Sequence, residues 1–160
     1  MLVPFTELPE TARIWIYQAN RPFTEAEALE VSEKTAAFLE QWTAHGASLK
    51  AGFELRYNRF IVLGLDQSLH GASGCSIDAS VHFVQQLEQA YGVTLLDRMN
   101  VTFRQGEYIA YKPLADFRKL AKARSVGPQT VVFNNLVANK REYEEDWEIP
   151  ASESWHNRFF

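Results

Sequence analysis

Apolar positions along this chain change their period several times, and each change marks an element. Arg13-Ile14-Trp15-Ile16-Tyr17 is dense in β-branched and aromatic residues and is bounded by Pro9 and by Asn20-Arg21-Pro22, which predicts a first strand. The spacing then lengthens to three and four. Ala28, Val31, Thr35, Phe38 and Trp42 line one face of a helix that opens on the capping box Thr24-Glu25-Ala26-Glu27, with Phe23 as its staple, and ends near Ala44 before Gly46. Leu49 to Tyr57 and Arg59 to Leu65 return to strand character around Asn58, which predicts a hairpin with a tight or bulged turn. In a second helix Ile77, Val81, Val84, Leu87 and Tyr91 form the apolar stripe, Ser73 or Ser76 caps the start, and Gly92 closes the end. Arg98 to Arg104 then alternates. Met99, Val101 and Phe103 point one way and Arg98, Asn100, Thr102 and Arg104 the other, the pattern of a half-buried strand.

Beyond it, Gln105-Gly106 turns the chain into Tyr108 to Tyr111, and Pro113 opens a short helix carrying Leu114, Phe117 and Ala121. Ser125-Val126-Gly127-Pro128 reads as a loop and Thr130 to Phe133 as a short strand. Asn139 and Glu142 cap a last helix over Lys140 to Trp147, which Pro150 ends. The tail Ser154-Trp155-His156-Asn157-Arg158-Phe159-Phe160 carries three large aromatics, so it is expected to dock on the body or on a partner. The order from Arg13 to Arg104 is β-α-β-β-α-β. It predicts an α+β fold with a ferredoxin-like core and a C-terminal helical extension ending in the aromatic tail. The expected organisation is one domain over 1–160, with a core over 1–112 and an extension over 113–160 packed on it. Such a sheet would expose Arg13, Trp15, Tyr17, Glu54, Arg56, Arg98, Asn100, Thr102 and Arg104 on one face.

Composition narrows the function classes. The 160 residues suffice for a full core, and a net charge of −4, with Glu142, Glu144, Glu145, Asp146 and Glu148 massed near the C-terminus, predicts no general attraction to nucleic acid or anionic lipid. No window has the unbroken apolar length of a membrane span. Cys75 is the only cysteine, which leaves no intrachain disulfide, and Met1 to Glu7 lacks a charged segment followed by an apolar one. A cytoplasmic protein is the expectation.

His-Gly-Ala-Ser occurs twice, at 45–48 and at 70–73, once after the first helix and once before the second. In a split β-α-β fold those two connections lie at the same end of the sheet. The fourth strand finishing there would bring Arg104, and Lys50 enters from the same edge. His45, Ser48, Lys50, His70, Ser73, Cys75, Ser76 and Arg104 would then surround a helix N-terminus, a setting for a small anionic ligand such as a phosphate, a sulfate or a carboxylate. No cofactor is expected.

Two further readings stay open. One is an enzyme with Cys75 as nucleophile and His45 or His70 as its base, His82 lying seven residues and roughly 10 Å further along the same helix; or one with Asp78 and His82 sharing a metal ion with His45 or His70. The other is a protein–protein module or homodimer using the exposed sheet face or the tail. A P-loop is absent: nothing fits Gly-x-x-x-x-Gly-Lys-Ser/Thr.

Arg13 to Arg21, Gly74 to Phe83 and Ser154 to Phe160 carry a resemblance that extends over nearly the whole chain. It resembles a family of short bacterial proteins often labelled ABC transporter ATPases. The ATPases proper carry a Walker A loop, an acidic Walker B strand and a Leu-Ser-Gly-Gly-Gln signature; Gly71-Ala72-Ser73-Gly74-Cys75 only echoes the last. The resemblance therefore implies no catalytic residues.

Overall fold

The computed structural model describes every residue, Met1–Phe160, as an α+β protein of four helices and three antiparallel sheets. Two compact units divide the chain: Met1–Leu96 with Ala138–Arg141, and Asp97–Val137 with Glu142–Phe160.

The first unit contains β1 (Arg13–Gln18), α1 (Glu25–Gln41), the short β2 (Thr43–Ala44) and β3 (Ala47–Ser48), β4 (Lys50–Arg56), β5 (Phe60–Asp66) and α2 (Gly74–Tyr91). Its main sheet has the order β1-β5-β4, so β5 runs antiparallel between two neighbours. Tyr57 and Asn58 both take positive φ, and the Arg59 N–H donates to the Arg56 carbonyl at 3.0 Å, which is the tight hairpin turn expected there. Both helices pack on one face. There Tyr17, Val31, Leu39, Leu63, Leu65, Val84 and Leu87 build a core, with Trp15 and Phe38 against it. Trp15 and Tyr17 thus face the helices, inverting the expected sheet parity on β1.

The opposite face is covered by the N-terminal segment. Gly52 and Gly64 are cross-strand partners, and a Cβ on either would lie 2.7 Å from the Val3 carbonyl oxygen or 2.6 Å from Leu8 Cδ1. Two paired glycines let that segment lie flat on the sheet. The edges are occupied as well. Val3 N–H donates to the Ala51 carbonyl beside β4, and Ile14 N–H to the Ala138 carbonyl beside β1.

The expected four-stranded ferredoxin-like sheet is therefore not formed. Its fourth strand, β6 (Asn100–Gln105), belongs to a second sheet of order β7-β6-β8-β9 with β7 (Tyr108–Pro113), β8 (Val131–Phe133) and β9 (Glu148–Pro150). The physical reason is availability: both edges of the first sheet are paired, while β7 offers β6 a complete antiparallel ladder across a short turn. Thr102 is only 1% exposed, so β6 is covered on both faces rather than alternating, and Met99, 66% exposed, lies outside the strand.

Val101, Phe103, Phe117, Val126, Val132 and Ala151 form the second unit's core. Helix α3 (Leu114–Lys122) supplies Phe117, with Pro113 as N-cap rather than first helical residue. After α4 (Lys140–Asp146) the chain re-enters the sheet, so Pro150 ends β9 by pairing with Val131. The aromatic tail docks within this unit: the Phe159 ring meets Phe117 edge-on at 5.5 Å, and His156 is buried beside Trp155 at 3.8 Å.

Candidate functional site

Two places on α2 bear on function: its first turn, which the sequence singles out, and its middle.

At the first turn, Ser73 and Ser76 form a reciprocal cap. Ser76 N–H donates to Ser73 Oγ at 3.1 Å, Ser73 N–H donates to Ser76 Oγ at 2.7 Å, and the Ser76 hydroxyl donates to the Ser73 carbonyl at 2.8 Å. Both hydroxyls are thereby engaged in holding the helix start. Trp42 Nε1 donates to the Ser76 carbonyl at 2.8 Å, which sets Trp42, the residue before the β2–β3 hairpin, beside the first turn of α2. That hairpin is a correction to the expected helix end. α1 stops at Gln41 with Trp42 extended, and His45-Gly46, both at positive φ, form the turn between β2 and β3.

The other predicted residues are placed as follows. Lys50 lies 3.8 Å from Asp66, a carboxylate held below its ordinary pKa by the Ser68 backbone N–H, then the Ser68 side chain, and by Lys50 itself. His45, Ser48, His70 and Cys75 are exposed, and Cys75 is a free thiol. Arg104 is in the second unit, where its Nε donates to Glu148 Oε2 at 2.9 Å. The expected route by which Arg104 would reach α2, as the fourth strand of the same sheet, does not exist. Asp78 and His82 are exposed on α2, and no group of three His, Cys, Asp or Glu side chains is gathered as a metal site would require.

The middle of α2 faces α1. Arg21, just before α1, donates to the Tyr91 carbonyl at the end of α2 at 2.7 Å and grips Glu27 at 2.9 and 3.1 Å; Trp42, just after α1, reaches the start of α2. The helices are therefore antiparallel and pinned at both ends. Arg21 and the Thr24 amide together hold the Glu27 carboxyl down to about 2.

Between the pins is an open groove of about 510 Å³, lined by Lys34, Ala37, Phe38 and Gln41 from α1 and by Phe83, Gln86, Leu87 and Ala90 from α2. Both sets have the spacing i, i+3, i+4, i+7, two helical turns presented as a stripe. Phe38 and Phe83 stack in parallel at its centre, ring centroids 4.6 Å apart. Small, exposed side chains at Ala37 and Ala90 leave its sides open.

Charge differs sharply across this groove. The flank of α2 between Asp78 and Glu88 has no charged side chain, only exposed His82, Gln85 and Gln86 and their small neighbours. α1 carries five glutamates, at 25, 27, 30, 33 and 40, against the single Lys34. The Lys34 ammonium sits 4.7 Å from the Tyr91 ring centroid, its pKa raised first by the Tyr91 phenol and also by the Glu30 carboxylate. Glu30 and Glu33 remain exposed. Leu87 is buried in the core and Phe38 packs against it, as the sequence stripes predict, but the groove beside them was unseen; the signal in the chain is the uncharged run from Ala79 to Leu87.

No helix is long and apolar enough to cross a membrane. No family model, no curated protein and no solved structure matches the chain.

Proposed function

We propose that this protein is a cytoplasmic binding module, a protein-interaction domain whose working surface is the groove between α1 and α2. The observation that carries this reading is the open groove of about 510 Å³ between two matched two-turn stripes, with half-buried Phe38 stacked on the buried Phe83 along it. An apolar concavity of several hundred Å³ with a few polar groups at its rim is the ordinary form of a ligand site. The test uses a neutral apolar dye, Nile red. Its emission is expected to rise on mixing with the native chain and to be lost when Ala90→Trp fills the groove from an exposed position. No rise, or a rise indifferent to the plug, overturns the reading.

A small anion at the start of α2 is the second reading. What favours it is the bond from Trp42 to the Ser76 carbonyl, which brings the end of α1, just before the hairpin that carries His45 and Ser48, to the first turn of α2. A phosphate titration followed by thermal unfolding tests it: this reading expects a raised midpoint that Lys50→Ala and His70→Ala diminish.

A further inference from the structure

We propose that the exposed face of α3, together with the aromatic tail, is a binding surface for single-stranded nucleic acid. The surface lies entirely within the second unit and does not draw on the groove reading.

The chain as a whole carries a charge of −4, but this face is basic. α3 puts Leu114, Phe117, Leu120 and Ala121 against its own core, which leaves Arg118, Lys119 and Lys122 exposed, with Arg124 exposed just past its end. No acidic residue stands between Arg118 and Arg124. Asp116, in the first turn, is two positions from Arg118 and falls on a different side of the helix. The dipole of α3 accounts for the cations in its last turn, Lys119 and Lys122. It does not account for Arg124 or for Arg158.

Arg124 closes α3 in the left-handed region, at φ 57°, with its N–H donating to the Ala121 carbonyl at 3.1 Å. Glycine is free at such a position and arginine is strained, and α2 ends on Gly92 at φ 61° in the ordinary way. Strain of this kind is kept where the side chain is used.

Rings adjoin these charges. The Arg118 guanidinium lies over the Phe159 ring at 5.8 Å and that of Arg158 over Trp155 at 5.6 Å, while Trp155 and Phe159 meet edge-on at 6.0 Å. Lys122 follows Arg118 by one turn on the same flank of α3. Phe160, edge-on to Phe117 at 6.3 Å, is 42% exposed. Cations beside rings and guanidinium planes suit an unpaired strand, whose phosphates meet the charges and whose bases stack. A duplex hides its base faces, and insertion into a bilayer would require the apolar side chains that α3 has committed to its core.

The probes are a fluorescein-labelled twelve-nucleotide oligouridylate and the matching oligothymidylate, followed by anisotropy with the full-length chain. Both are expected to bind, with affinity falling as salt rises by a log–log slope of about −0.7 for each phosphate neutralised. Arg124→Gly should weaken binding about threefold or more at low salt while raising the thermal midpoint, a combination that a damaged fold does not produce. Arg118→Gln with Lys122→Gln should weaken it roughly tenfold. Phe160→Ala should weaken it about fivefold or more by removing a stacking ring. A preference for one oligomer identifies RNA or DNA as the favoured strand, and equal binding supports the chemistry they share. No binding at about 50 mM salt overturns the proposal, as does binding indifferent to Arg124→Gly and to the double variant. Displacement of the oligomers by polyglutamate at equal charge marks a surface for acidic chains and overturns it. Capture by phosphatidylserine vesicles, lost in the same variants and without oligomer binding, marks a membrane surface and overturns it too.

Discussion

The start of α2 and its middle make an instructive pair. The start is crowded with polar chemistry, yet Ser73 and Ser76 spend their hydroxyls on each other's backbone and Lys50 stands against Asp66. The middle has almost no reactive chemistry, yet it holds an open groove in which half-buried Phe38 lies between exposed Ala37 and Gln41 on one wall and exposed Gln86 and Ala90 on the other. Availability, rather than the density of functional groups, separates a site from a well-made turn.

The contrast can be broken or sharpened in graded steps. Largest is Phe83→Ala, which removes the stack with Phe38 and hollows the groove floor. It should cost about 3–4 kcal/mol in urea unfolding, and a cost below about 1 would mean that the floor bears little load. Next is a pH experiment on His156, whose ring is buried within the second unit. Burial, and then Arg158, lower its pKa to about 4, while Ser154 Oγ lies 2.6 Å from Nδ1. The unfolded chain binds that proton near the ordinary value of about 6.5, so the stabilisation is complete above about pH 6.5 and is lost as pH falls toward 4, roughly 3 kcal/mol in all. His156→Gln should flatten that dependence.

A smaller step is Ser73→Ala, which should cost about 1 kcal/mol through loss of the cap while leaving Nile red binding unchanged. If it weakens binding as much as Ala90→Trp does, start and middle are one site. Smallest is Cys75→Ser, at an exposed position outside the cap, expected within about 0.5 kcal/mol of wild type by thermal unfolding.

Local signals were legible where their cause is local. The capping box at Thr24, the positive-φ close at Gly92 and the Tyr57-Asn58 turn depend on a few adjacent residues, and each could be read from the chain. The repeated tetrapeptide shows the limit. His45-Gly46-Ala47-Ser48 folds as a hairpin turn, whereas His70-Gly71-Ala72-Ser73 leads into a helix cap, because Ser76 answers Ser73 while nothing equivalent follows Ser48. Sheet membership was not legible. Whether β6 joins the first sheet depends on edges claimed by Val3 and Ala138, far away in sequence, and the cross-strand pairing of Gly52 with Gly64 has no local mark. The groove escaped notice for the same reason, since stripes on two helices become one surface only when they pack.

Lys140 has a consequence for the order in which the chain is made. Its ammonium, buried among the first residues, donates to the carbonyls of Leu8 at 2.7 Å and Thr6 at 3.3 Å, while its own N–H donates to Ala12. During synthesis, Met1 to Leu96 emerge without the short segment that closes the β1 edge, and that segment follows only after most of the second unit has been translated. At roughly 5–20 residues per second the wait is roughly 2–9 s. A nascent first unit spends that interval with the β1 edge unpaired and the Thr6 and Leu8 carbonyls without the Lys140 ammonium, so its sheet is completed only by residues translated after β8.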